Sequence, residues 1–344
     1  MVQAFIGLFS LALVAAEMWA AEPQAFAEAA QGTALAREGK YDQAIEHYKA
    51  ALRLDSDLPG LYLNLGLAYF KSKRLPEATA AFEEAVKADS GSFQARALLG
   101  MSYYGSAHYK EAAAQLKLAS HAQPENLELR FTLAQSYLWT GQYGEATEEV
   151  KFLLTKNPES AHVHVLFGEV LDAAGQTESA TAEFEAAAKA PTVPQEAHFG
   201  LGYLYWKQQR YEEASREFQA ELKNQPQHGQ ALAYLGDVEM RLEHEQSATE
   251  LLQRALAVDS NLRLAQLDLG ILLSRKKDSS GAEKHFREAI RIDRSKPDAH
   301  YRLGRLLSSQ GRDEEAQAEF EQVKKLAAEE PPAPLIRLPG RKLP

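Results

Sequence analysis

The side chains that could do chemistry in this chain are histidines, paired carboxylates and tryptophans. His162 and His164 come closest to a metal-binding pair, but a spacing of two sends them to different sides of a helix. The remaining histidines, His47, His108, His121, His198, His228, His244, His285 and His300, are scattered and read as solvated or packed. Glu83-Glu84 and Glu148-Glu149 could serve general acid–base work, yet neighbouring acids on a helix surface are more simply a solvated face. The chain has no cysteine, which removes disulfides, thiol nucleophiles and thiolate metal sites. No glycine-rich phosphate loop occurs. These residues predict no catalytic centre, no metal site and no cofactor.

What remains is a set of large apolar side chains at helical spacing, and a strict period positions them. Gly32, Gly66, Gly100, Ala134, Gly168, Gly202, Gly236, Gly270 and Gly304 recur every 34 residues. Twelve residues after each stands Ala44, Ala78, Ala112, Ala146, Ala180, Ala214, Ala248, Ala282 or Ala316. Glycine inside a helix costs about 1 kcal/mol relative to alanine. Its recurrence at one phase therefore implies an offsetting gain, a close crossing of two helices. Leu65 and Phe82, Leu201 and Phe218, and Leu303 and Phe320 would fill the space beside it. Leucine at Gly202 would overpack the crossing, and alanine is expected to be mild because Ala134 occupies the equivalent place. The repeats are framed as 25–58, 59–92, 93–126, 127–160, 161–194, 195–228, 229–262, 263–296 and 297–330. Each holds a first helix of about 14 residues, a turn, and a second helix from about the seventeenth position. Gly39, Gly141, Gly175 and Gly311 mark the turn, and Pro124, Pro158 and Pro226 halt second helices.

This pattern of small residue, Tyr three positions on, then Ala, an aromatic and Pro resembles the tetratricopeptide repeat (TPR) family. The resemblance implies an all-α solenoid, a right-handed superhelix of about nine helix–turn–helix repeats, with ligands held on the concave face lined by first helices. TPR domains that clamp acidic chaperone tails carry Lys and Asn at set first-helix positions. Here the second and fifth positions hold no Lys and only Asn64 matches, so that clamp is absent.

Positions five, nine and twelve of each first helix form one stripe. Along the chain it includes Leu67, Phe70, Met101, Tyr104, Gln135, Glu169, Phe199, Tyr203, Trp206, Asp237 and Arg305, and Trp139 lies beside it. These are the candidate groove residues, and a merely solvated stripe would be more polar. The competing reading packs the fifth and twelfth positions against the neighbouring repeat. If Tyr203 and Trp206 face the groove, truncating them should cost binding rather than stability.

The net charge of −10 argues against a nucleic-acid partner. Between Arg263 and Arg312 there are 12 Lys/Arg against 6 Asp/Glu, which reads as a salt-laced helical surface rather than a site for an acidic partner. Residues 1–24 stand apart. Val2 to Ala16 is almost wholly apolar and small residues follow, as in a secretory signal, although no Lys or Arg precedes the run. A cleaved signal is expected, with export to the periplasm or beyond. An uncleaved anchor over residues 2–16, or a different true start, are the alternatives. Residues 331–344, with five prolines, read as a flexible tail.

The function expected is a non-catalytic scaffold, exported in a bacterial envelope or secretion setting, holding a protein or peptide in its groove. A self-assembling structural protein is the alternative. An enzyme subunit, or a carbohydrate binder stacking sugars on Trp139 and Trp206, is a third.

Overall fold

The computed structural model describes residues 23–328, and within them every regular element is a helix. The leader expected over residues 1–24 and the tail over 331–344 fall almost wholly outside that range. Helix α1 covers residues 23–37. The others are α2 (Tyr41–Leu54), α3 (Leu61–Lys71), α4 (Leu75–Ala88), α5 (Phe93–Gly105), α6 (Tyr109–Ala122), α7 (Leu127–Trp139) and α8 (Tyr143–Lys156). They continue as α9 (Ala161–Ala173), α10 (Thr177–Ala188), α11 (Ala197–Lys207), α12 (Tyr211–Asn224), α13 (Gly229–Arg241) and α14 (Glu245–Val258). The last are α15 (Arg263–Arg275), α16 (Ser279–Ile292), α17 (Pro297–Ser309) and α18 (Asp313–Ala328). This is an all-α solenoid of about nine helix–turn–helix repeats. The chain divides between Pro158 and Glu159 into two compact units.

The turn is built identically throughout. The fifteenth residue of each repeat takes the left-handed conformation, and glycine fills it at Gly39, Gly141, Gly175 and Gly311 with φ of 73–77°. Lys73, Ala107, Gln209, Glu243 and Lys277 adopt the same conformation at φ of 60–65°. A side chain there is strained, so the fold imposes the turn even where the sequence does not favour it. Ser92 and Asn126 then cap first helices, accepting from the N–H of Ala95 (3.2 Å) and Leu129 (3.1 Å).

The small residues do lie at helix crossings, and each crossing is tighter than expected. A Cβ placed on Gly202 would lie 2.9 Å from the Phe218 ring. On Gly66, Gly168 or Gly270 it would meet Phe82, Phe184 or Phe286 at 2.5–2.6 Å. Alanine at these positions is therefore not mild. Ala134 is tolerated for another reason: its second-helix counterpart, sixteen residues on, is the smaller Val150 in place of phenylalanine. The pair, rather than the glycine alone, keeps the crossing at constant volume.

Within each unit, packing is unequal on the two sides. In the first, α3 touches α5 and α5 touches α7. In the second, α9, α11, α13, α15 and α17 touch in succession. Successive second helices stand further apart, and the 3.8 Å ion pair from Arg287 on α16 to Glu315 on α18 joins their side chains only. First helices therefore form the crowded inner side of each unit, and second helices its spread outer side.

Candidate functional site

In the first unit the inner side is apolar. Leu67 and Phe70 are half-buried against the core of α3, and the Phe70 ring lies 6.5 Å from that of Phe82. Met101 is half-buried, whereas Gln135 is only 8% exposed and belongs to the interior of α7. At the C-terminal ends of α5 and α7 three rings run in a row. Tyr104 meets Tyr109 edge-on at 5.5 Å, and Trp139 lies flat on Tyr109 at 5.4 Å. Trp139 remains 37% exposed, the most open ring of the candidate set.

The second unit is built differently. Phe199 is fully buried, wedged among Phe218, His228 and Tyr234, so it is core rather than groove lining. Tyr203, Trp206 and Tyr234 form a triangle of rings with centroids 5.1–5.7 Å apart, each half-buried on the inner side. Burial raises the Tyr203 phenol well above its ordinary pKa, and it lifts Tyr234 to about 12. Both rings therefore stay neutral at any ordinary pH.

Beneath the triangle lies a carboxylate. Asp237, 1% exposed, accepts from the Trp206 indole N–H at 2.5 Å and from Arg241 Nε at 3.0 Å. It is a structural anchor for Trp206, and not a charge presented to a ligand. Asp268 on α15 is 2% exposed, and its Oδ2 has no hydrogen-bond partner. Burial first, then the Asp237 charge, holds its carboxyl well above the usual carboxylate range. Both causes favour the protonated acid on Asp268, the form that avoids like-charge repulsion with Asp237.

The other candidates occupy the rim. Asp172 takes a salt bridge from Lys207 at 2.7 Å, and Glu169 is half-buried on the same helix. Arg305 is exposed, its guanidinium 6.0 Å from the Tyr301 ring. The stripe thus resolves into an apolar row in one unit and an aromatic triangle in the other, with Gln135, Phe199 and Asp237 withdrawn inside. The expectation that Trp206 can be truncated without loss of stability is overturned, because its N–H satisfies a buried carboxylate. Tyr234 was missed because it stands at the sixth position, off the chosen stripe. The signal was its spacing of three from Asp237, which sets both on one side of α13.

Five of the ten histidines, His47, His164, His198, His285 and His300, keep one register. The fourth residue of a repeat pairs with the twenty-third: Glu28 with His47, His164 with Glu183, His198 with Glu217 and His300 with Glu319, at 2.6–2.7 Å. Gln266 with His285, Arg130 with Glu149 and Arg96 with Gln115 occupy the same two positions. These pairs tie the two helices of a repeat together, with the polarity free to reverse. Among the described residues no group of three or more His, Asp or Glu could hold a metal ion. No helix among them is long and apolar enough to cross a membrane.

Family models match along the chain: "TPR repeat" over residues 32–73, and "Tetratricopeptide repeat" over 59–92, 103–166, 165–220, 199–262 and 273–333. No curated protein sequence matches it. Solved structures do. The APC/C hetero-tetramer Cut9–Hcn1 aligns with a TM-score of 0.59 and 13% identity, over 89% of this chain and 74% of that one. A tetratricopeptide repeat protein from Parabacteroides merdae aligns with 0.57 and 15% identity, over 72% and 97%. The structure of MamA AMB-1 aligns with a TM-score of 0.46 and 24% identity, over 49% of this chain and 92% of that one. At these identities the first two likenesses are of fold alone.

Proposed function

The chain belongs to the tetratricopeptide repeat family, and from that premise we propose that it is a non-catalytic scaffold that grips a protein or peptide on the inner side of its second unit. The observation that carries this reading is the triangle of Tyr203, Trp206 and Tyr234. Its rings are part-exposed, yet they are held in place by one another and by the bond from Trp206 to buried Asp237. Rigid aromatic side chains are the commonest interface anchors, because little entropy is lost when they bind. Lys207 and Asp172 beside them supply a polar rim.

The setting proposed is outside the cytoplasm, in a bacterial envelope or secretion assembly. The run from Val2 to Ala16 and its small-residue ending support it. Residues 1–24 fused to a reporter active only outside the cytoplasm should switch that reporter on. Recovery of an intact Met1 terminus from soluble cytosol would refute export.

Amine-reactive cross-linking in intact cells, read by mass spectrometry, tests the grip itself. Links to another protein should form from Lys207, at the end of α11, and not from the exposed Lys223 near the end of α12. Links from Lys223 alone would move the binding surface to the outer side.

A further inference from the structure

Between α14, α15 and α16 the surface opens into a recess of about 180 Å³. Its walls include Thr249, Gln253, Leu272, Leu273, Lys276 and His285. The repeat period explains why a hollow exists here. Leu273 is the eleventh residue of its repeat, and the same position holds Tyr69, Tyr103, Tyr137 and Tyr205 in four others and Leu35, Leu171 and Leu307 in three. Tyr103 donates its phenol proton to Glu83 at 2.6 Å, and Tyr205 donates to Glu185 at 2.8 Å. In each case the acceptor is the twenty-fifth residue of the preceding repeat. Gln208 then closes the edge by donating to Thr181 at 2.7 Å. Around Leu273 the matching residues are Gln253 for Glu185, Thr249 for Thr181 and Lys276 for Gln208. The acceptor and the hydroxyl are kept, and the ring that spans them is missing.

We propose that this recess is a receptor for a phenol ring, filled by the tyrosyl side chain of a partner protein. The ring would lie on Leu272 and Leu273, and its hydroxyl would donate to the Gln253 side-chain carbonyl as Tyr205 donates to Glu185. His285 supports the fit from α16. Its Nδ1 is engaged by Gln266 Oε1 at 2.6 Å, and burial lowers its pKa, so a neutral imidazole faces the apolar wall. The site is bounded by the second helices α14 and α16 and by α15, and shares no residue with the aromatic triangle, so it stands or falls independently of that site.

The test uses the full chain with methyl-labelled leucines, observed by NMR while p-cresol, toluene and N-acetyltyrosine amide are titrated in turn. p-Cresol should give saturable shifts confined to Leu256, Leu269, Leu272 and Leu273. Toluene should bind about two- to tenfold more weakly, the factor expected for one lost neutral hydrogen bond. N-acetyltyrosine amide should bind at least as well as p-cresol. Leu273→Tyr should raise the melting temperature, because the built-in ring fills the hollow, and it should abolish all three titrations. Equal binding of toluene, exclusion of the tyrosine amide, or undiminished binding to a well-folded Leu273→Tyr chain would each overturn the proposal. A lowered melting temperature for Leu273→Tyr would do so too, since the hollow would then not be a vacated tyrosine site.

Discussion

Trp139 lies flat on Tyr109 in the first unit, and at the same two repeat positions of the second unit Arg241 stands 5.6 Å over Tyr211. One substitution of type changes what the inner side can do. Trp139 is left as an open platform. Arg241 instead reaches Asp237, which holds Trp206, which packs on Tyr234 and Tyr203. Among the described residues, the first unit buries only neutral polar side chains in its first helices: Ser102, Thr132, Gln135 and Ser136. The second buries Asp237, Glu239, Gln266, Asp268 and His300 in its own, and each such group must find a partner or give up its charge.

The widest separation between the units should come from the two tryptophans. Trp206→Ala removes a packed ring and orphans Asp237, so denaturant melts should show a loss of about 3–5 kcal/mol. Trp139→Ala gives up one stacked face in solvent and should cost about 0.5–1.5 kcal/mol. Equal losses would mean that the network below Trp206 contributes nothing.

The crossings give the next largest contrast. Gly202→Ala forces a methyl into Phe218 and should cost about 1–3 kcal/mol. Val150→Phe creates the same conflict against Ala134 in the first unit and should cost a similar amount. Ala134→Gly added to Val150→Phe should recover most of that loss. A double mutant no better than the sum of its parts would refute volume pairing.

Acid titration should also tell the units apart. The folded-state pKa of Asp268 is raised, so the native chain holds a proton that the unfolded chain releases above about pH 3.9. Stability therefore falls as pH rises through that window, up to the native pKa. Asp268→Asn should equal the parent chain below pH 4 and melt higher at pH 7. His285 acts in the opposite direction: burial lowers its pKa, so stability drops as pH falls below about 6.5. A melting profile of Asp268→Asn parallel to the parent at every pH would show that the acid titrates normally.

The smallest effect should be the same in both units. Ala107→Gly and Gln209→Gly relieve a left-handed side chain at the turn, and each should gain about 0.5–1 kcal/mol. A loss at either position would mean that the side chain makes an offsetting contact.

These contrasts also mark how far the sequence could be read. The period placed every helix, the turn at Gly39 and its equivalents, and the crossing at Gly202, because each follows from local geometry repeated in phase. The candidate stripe was legible as a face and not as a surface. Helical phase put Phe199, Tyr203 and Trp206 together, but only the approach of α13 decided that Phe199 is covered while its neighbours stay half-open. Asp237 looked like a groove charge because its partners lie four and thirty-one residues away, on two different helices. The histidine pairs were missed although their phase is regular, since glutamate and histidine exchange positions from repeat to repeat.

The most direct measurement places a photo-reactive benzoylphenylalanine at three positions of the full chain in cells. Position 203 lies in the aromatic triangle, position 139 on the open platform of the first unit, and position 216 on the exposed side of α12. Irradiation should give one discrete protein adduct from position 203, weak or no adduct from 139, and none from 216. Adducts from 139 or 216 with nothing from 203 would contradict an anchor in the second unit.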